Sequence, residues 1–213
     1  LYFYNFNFSI LMSTDTYKEI NKPSYAIYKQ KGSKFIAYAY PVFNKKNVQE
    51  KLEYVKQKEH SARHHCYAYI LNSDKSEQRI NDDGEPSYTA GKPILNQILS
   101  YDLTNILIVV VRYFGGVKLG VPGLINAYKT ASFEAISKTK IITKKITEEY
   151  EIKFNYIKIN TVMRIIKKYN LKIKETNYQQ ECKINISINK NEVNKVIDIL
   201  NKNHEIKIKA INH

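Results

Sequence analysis

Every glycine and every proline in this chain lies between Pro23 and Gly123; from residue 124 onward there is neither. Glycine permits positive φ and close backbone approach, while proline fixes φ and removes a donor, so tight turns are built into the first stretch. The rest must turn by other means. This shift predicts two domains of different design, and 213 residues suffice for two small ones at ~100–200 residues each. The expected seam is KTKIITKKITEE (138–149), where a helical pattern decays into a basic, β-branched stretch, which sets the domains at 13–145 and 148–213. Residues 1–12 carry five aromatics and no charge. They have neither the basic start nor the small-residue cleavage site of a secretory signal. Met12 resembles a natural start, so 1–12 reads as a leader outside the fold, non-native or disordered.

Periodicity supplies the elements. YAIYKQ (25–30) and KFIAYAYPV (34–42) read as a hairpin around Gly32-Ser33. Asn44 caps a helix whose apolar face is Val48, Leu52 and Val55. HCYAYIL (65–71) is a third strand, with a short one near Glu77–Ile80. Pro93 starts a helix with Ile94, Leu95, Ile98 and Leu99 on one face. NILIVVV (105–111) is continuously apolar, as in a strand covered on both sides. A long helix follows, with Val121, Leu124, Ile125, Tyr128, Ala131 and Ala135 inward.

In the second domain Tyr150, Ile152, Phe154 and Tyr156 alternate with polar residues. Asn160 caps a helix with Val162, Ile165, Ile166 and Tyr169. Strands follow at Leu171–Asn177 and Glu181–Ile188, then a helix with Val193, Val196, Ile197 and Leu200. A last strand has Ile206, Ile208 and Ala210 inward. The order β-α-β-β-α-β is the ferredoxin-like arrangement, which hosts many functions and decides none.

With 43% hydrophobic and 25% charged residues, the chain has ordinary globular composition, which excludes wholesale disorder and collagen-like structure. No apolar run approaches the ~18–20 residues that span a bilayer. Cys66 and Cys182 lie far apart and follow no metal-ligand spacing, which drops a disulfide scaffold and a zinc module and favours a reducing, cytoplasmic setting. A net charge of +14 suggests an acidic partner such as nucleic acid. Lys, Ile, Asn and Tyr nevertheless make up 98 of the 213 residues, as an A/T-rich genome would produce. Only 4 of the 34 basic residues are Arg, the better phosphate fork. Charge alone thus leaves compositional drift and a polyanion footprint both open.

Three clusters can carry chemistry. RYFGGVKLGVPGL (112–124) joins a buried strand to a helix start. Gly115, Gly116 and Gly120 let backbone approach a ligand, the helix start offers free N–H groups, and Lys118 and Arg112 add charge, which together suit an anion. The spacing is not that of a Walker A loop, and a purely architectural turn explains the same glycines. NDDGEPSYTAGKP (81–93) crowds Asp82, Asp83 and Glu85 around Gly84. These can ligate Mg²⁺, form an ordinary turn, or pair with Arg112 or Lys118. EHSARHHC (59–66) holds His60, His64 and His65. Within a strand His64 and His65 point to opposite faces, so they cannot share an ion, and Cys66 is expected in the core. A lone His beside a carboxylate is a general-base candidate.

In this order and spacing, KGSKFIAYAYPV, ARHHCYAYIL, DDGEPSYTAGKPIL and VVVRYFGGVKLGVPGLINAY resemble the IMPACT/YigZ family over residues 20–135. The resemblance implies an α+β chain. Its N-terminal domain would be of the ribosomal-protein type seen in domain IV of elongation factor G, and its C-terminal domain ferredoxin-like, similar to domain V of that factor. It also implies a role in translation regulation, with nucleic-acid binding the usual proposal for bacterial members. The family pattern falls on His64, Tyr67, Asp82, Asp83, Gly84, Glu85, Pro86, Gly91, Pro93, Arg112, Tyr113, Gly115, Gly116, Lys118, Leu119 and Gly120. Tyr88 and Pro122 stand where the family commonly has glycine. Tyr88 is expected to crowd the acidic loop, and Pro122 to suit a first helical turn.

The leading expectation is a cytoplasmic, non-catalytic, translation-associated regulator. Its partner would be nucleic acid, RNA before DNA, or the ribosome and its proteins, and not a membrane. The anion-binding candidates are Arg112, Gly115, Gly116, Lys118 and Gly120, beside the acidic loop Asp82, Asp83 and Glu85, with His64 and Tyr113 as further pattern residues. No catalytic residue, metal ligand or cofactor is assigned. The alternatives are an enzyme acting on a phosphate-bearing small molecule and a protein–protein regulator without nucleic-acid contact.

Overall fold

The computed structural model describes residues 15–179 and 181–211; the leader read at 1–12 lies outside the described residues. The fold is mixed α/β with antiparallel sheets. It divides into two compact units, Thr16–Lys144 and the residues from Lys145 on, the latter joined by Asp15.

The first unit runs β1 (Thr16–Ile20), β2 (Ser24–Gln30), β3 (Ser33–Pro41), α1 (Lys45–Lys58), β4 (His64–Leu71), β5 (Glu77–Asn81), α2 (Gly91–Ser100), β6 (Ile106–Tyr113), α3 (Gly120–Ser137) and β7 (Ile141–Lys145). Five strands form one antiparallel sheet in the order β2-β3-β6-β4-β5, and β1 pairs with β7 separately. The sequence pattern misses β1 and β7, which are short and half-polar.

β6 is the central strand because its residues are apolar on both sides. Ile106, Ile108 and Val110 pack with Ile94 and Ile98 of α2 and Tyr128 and Ala131 of α3. Leu107, Val109 and Val111 pack on the other face against Val48, Leu52 and Val55 of α1. All six are fully buried, each contributing about 1.5–3 kcal/mol by removal from water.

Asn44 caps α1 as expected, its side-chain oxygen accepting from the Asn47 N–H at 2.8 Å. The hairpin turn sits one residue earlier than the sequence suggested. Gln30 pairs with Ser33, so Lys31 (φ 46°) and Gly32 (φ 78°) take the two central positions, both with the positive φ that a type I′ turn requires. Leu99 is 40% exposed, and Val121 and Ile125 are also largely exposed, so these three leave the inward faces assigned to them. Helical spacing alone does not locate the edge of an apolar stripe.

The second unit runs β8 (Thr147–Phe154), α4 (Ile159–Lys168), β9 (Lys172–Tyr178), β10 (Cys182–Asn189), α5 (Val193–Asn201) and β11 (Ile206–Ala210), with strand order β11-β8-β10-β9, all antiparallel. Tyr150, Ile152 and Phe154 pack with Ile184 and Ile186 against Val162 and Ile166 of α4 and Val196 and Leu200 of α5. Asn160 is not the cap. Asn155 accepts from the Ile157 N–H and opens a short 3-10 turn that leads into α4, leaving Tyr156 exposed rather than alternating inward. Ala210 is exposed as well. Among the described residues no helix is long and apolar enough to cross a membrane.

Candidate functional site

β6 leaves the core at Arg112 and Tyr113, whose side chains point to opposite faces. His64 lies opposite Arg112 in the β4–β6 register, so both emerge on the side of α2 and α3. The loop between β5 and α2 brings Glu85 onto the guanidinium. Nη1 of Arg112 donates to the two carboxylate oxygens at 2.7 and 3.0 Å. The pair is buried, with side chains 8% and 4% exposed. The Tyr128 hydroxyl of α3 donates to Glu85 Oε1 at 2.8 Å. Cys66 Sγ lies within donating reach of that hydroxyl, at 3.3 Å, and of the Asp82 carbonyl, at 3.0 Å. Burial pushes the Cys66 thiol and the Tyr128 phenol well above their ordinary pKa values, so both stay protonated. Cys66 is therefore a core residue and not a nucleophile.

The acidic loop is turned inward on its own backbone. Asp82 accepts from the N–H groups of Ala90 and Gly91 through Oδ1, at 3.0 and 2.8 Å, and from Tyr88 through Oδ2, at 2.9 Å. It thus caps α2 from a distance, a negative charge at a helix start. Asp83 accepts from the His65 N–H at 2.7 Å. Its carbonyl lies 2.8 Å from His64 Nδ1, which must be the donor there. All three carboxylates are thus engaged by protein donors. Among the described residues no group of three His, Cys, Asp or Glu side chains is placed to hold a metal ion.

The glycines have local reasons. Gly115 packs flat on the β2–β3 turn; a Cβ there would fall 1.9 Å from the Gly32 carbonyl carbon. Gly116 and Gly120 hold φ of +85° and +69°. Tyr88 also adopts a positive φ, 63°, a region that favours glycine. Its ring is 67% exposed and does not crowd the loop, contrary to expectation. Pro122 lies in the first turn of α3, where proline fits.

These parts enclose a cleft of about 380 Å³ between residues 85–86, 112–114 and 118–121, with Arg63 and His64 on its wall. Of the sequence candidates it brings together His64, Glu85, Arg112, Lys118 and Gly120. Asp82, Asp83, Gly115 and Gly116 shape the loops behind it. Tyr113 faces α1 instead, where its hydroxyl donates to Glu59 at 2.7 Å and Lys34 sits 4.4 Å over its ring. Sequence reasoning missed Arg63, Phe114 and Val121 on the cleft wall. The available signal was Phe114 itself, an aromatic inside a glycine-rich loop.

One helical turn further along α3 lies a groove of about 340 Å³ lined by Tyr88, Lys92, Asn96, Ile125 and Lys129. Cleft and groove together carry the exposed cations Arg63, Lys92, Lys118 and Lys129 and the exposed rings of Phe114 and Tyr88. Their one lining carboxylate is Glu85, already held by Arg112. A larger hollow, about 610 Å³, opens beside α1, but there Lys45 pairs with Glu77 at 3.3 Å and the hollow touches none of the loops described above.

An Impact N-terminal domain family model matches residues 31–136, which include every residue lining the cleft and groove. IMPACT family member YvyE of Bacillus subtilis (strain 168) is 29% identical over 215 residues, covering 96% of this chain and 98% of that protein. An IMPACT family member of Haemophilus influenzae is 32% identical over 163 residues, covering 74% of this chain and 78% of its own. A solved structure, described as a hypothetical protein, covers 93% of this chain and 98% of its own at a TM-score of 0.71 and 26% identity. On sequence and on fold, the chain belongs to the IMPACT family.

Proposed function

We propose that this protein is a non-catalytic, translation-associated regulator in the cytoplasm that binds single-stranded RNA across the cleft and groove of its first unit. One observation carries the reading. Four exposed cations and two exposed aromatic rings share a surface whose one lining carboxylate is neutralised. Sequence-tolerant binding of single strands uses this combination, charge for phosphates and rings for bases. RNA is favoured over DNA by the resemblance to translation regulators. The same resemblance implies an elongation factor G domain IV type for the first unit. The second-unit strand order β11-β8-β10-β9 supports a ferredoxin-like, domain V-like assignment.

The test is binding of a fluorescent single-stranded RNA against salt concentration, for wild type and for Lys118→Ala with Lys92→Ala. Each lost phosphate contact is expected to shallow the log–log slope by roughly 0.7. Absence of RNA binding at low salt would overturn the reading. A second reading, an enzyme acting on a phosphate-bearing small molecule, is favoured by His64, oriented by the Asp83 carbonyl on the wall of the cleft.

A further inference from the structure

Contact with a sugar–phosphate backbone leaves much of the cleft unexplained. Its walls are largely apolar, built from Phe114, Leu119, Val121 and Leu124, with polar groups only at the depth and at the rim. Phe114 is 57% exposed, so most of its ring is open, and the Arg112 guanidinium lies 5.6 Å from its centroid. In the depth, Arg112 lines the cleft with its guanidinium held by Glu85 through Nη1. His64, its Nδ1 held by the Asp83 carbonyl, presents a polar ring edge on the same wall. At the rim, Arg63 and Lys118 are exposed beside Gly120 and Val121 at the start of α3, and neither cation makes an ion pair among the described residues.

A ligand that satisfies all of this has a flat aromatic body, a polar edge, and one anionic group. The geometry points to the cleft as the seat of one nucleotide. Its base lies against Phe114 with an edge toward Arg112 and His64, and its phosphate lies at Arg63, Lys118 and the start of α3. At about 380 Å³ the cleft is near the lower end of the roughly 300–1,000 Å³ typical of small-ligand pockets, room for one nucleotide and not for a stacked run. This deepens the RNA reading and rests on it: the cleft takes one unstacked nucleotide of the strand, and the groove along α3 carries its neighbours. A free nucleotide presents the same chemistry, and the experiment separates the two sources.

The full chain, labelled with ¹⁵N, is titrated with nucleoside 5′-monophosphates, with nucleosides and with inorganic phosphate, following the amides of Lys118, Gly120 and Val121. In parallel the monophosphates compete with a fluorescent single-stranded RNA. The expected result is saturable shifts with monophosphates, displacement of the RNA, and at least tenfold weaker binding of nucleosides and phosphate. Phe114→Ala, at an exposed position, keeps the fold by circular dichroism and weakens nucleotide binding about tenfold, the scale of one base–aromatic stack. Lys92→Ala with Lys129→Ala weakens RNA binding and leaves nucleotide binding unchanged. RNA binding that nucleotides do not displace and Phe114→Ala does not alter overturns the inference and leaves the RNA reading standing. Nucleotide binding without RNA binding overturns the RNA reading and keeps the cleft as a receptor for free nucleotides. Phosphate binding as tight as nucleotide binding overturns the inference, and binding of neither nucleotide nor RNA removes both.

Discussion

Arg112 was the natural phosphate contact from its place before a glycine loop, and the structure gives its charge to Glu85. Which of three nearby carboxylates takes a guanidinium depends on the path of the loop. Asp82 is drawn away to the N–H groups of Ala90 and Gly91, and Asp83 to that of His65, which leaves Glu85. No spacing rule contains that outcome. Arg112→Ala strands a buried carboxylate and should cost about 3–5 kcal/mol, roughly 10 °C in a thermal melt. Replacing both partners, Arg112→Met with Glu85→Leu, should recover most of the loss. A melt unchanged by Arg112→Ala would contradict the account. The same cluster sets an alkaline limit. Burial holds the folded-state pKa of the Cys66 thiol above the ordinary value, so its contribution is complete below about 8.5 and is lost as pH rises past it, when only the unfolded chain ionises. Unfolding free energies from urea melts at pH 7 to 10 should fall on the alkaline side, by up to about 1.4 kcal/mol per pH unit for this one group. Cys66→Ala should be less stable at pH 7 but should flatten that limb.

Elements with a strong apolar period were legible: β6, the α1 cap at Asn44, and the β8 to β11 succession. What the pattern could not give was contact between loops far apart in the chain. Nothing near Gly115 in sequence announces that the β2–β3 turn lies against it, yet that contact excludes a side chain. Gly116 is the internal control, since it needs only its φ of +85° and a Cβ there would meet nothing within 4 Å. Gly115→Ala should therefore destabilise by more than the ~1–3 kcal/mol of ordinary overpacking, because backbone and not a side-chain tip must move. Gly116→Ala should cost about 1 kcal/mol. Denaturant midpoints of the two variants decide it, and equal losses would mean that the loop does not rest on the turn. The exposed face of α3 was misjudged for a related reason. Val121 and Ile125 continue the apolar spacing of Leu124 and Tyr128, but they line the cleft and groove instead of the core.

On the scale of the whole molecule, the loss of glycine and proline after Gly123 falls inside α3, well before the division between Lys144 and Lys145. The rest of α3 and all of β7 are regular elements that need neither residue, so composition changes earlier than the chain changes unit. The +14 net charge poses a question that sequence alone leaves open: whether an A/T-rich codon pool or a partner put it there. The second unit supplies the comparison. On its polar sheet face Lys207, Lys153 and Lys183 stand directly opposite one another across three strands, a like-charge row relieved at Lys153 by Glu151 at 3.3 Å. Two variants of the full chain can then be matched in charge. One carries Arg63→Ala, Lys92→Ala, Lys118→Ala and Lys129→Ala; the other carries Lys172→Gln, Lys183→Gln, Lys207→Gln and Lys209→Gln. Both lie four charges below the wild-type +14, so any binding that follows net charge must weaken equally in the two. Binding through the cleft and groove should instead fall at least tenfold in the first and stay within about twofold in the second, with the salt slope shallower only in the first. Removing the two like charges that flank Lys153 should also leave the second variant at least as stable at low salt, a gain that shrinks as salt screens it. Equal loss of RNA affinity in both variants would assign the binding to bulk charge and take the function away from the face described here.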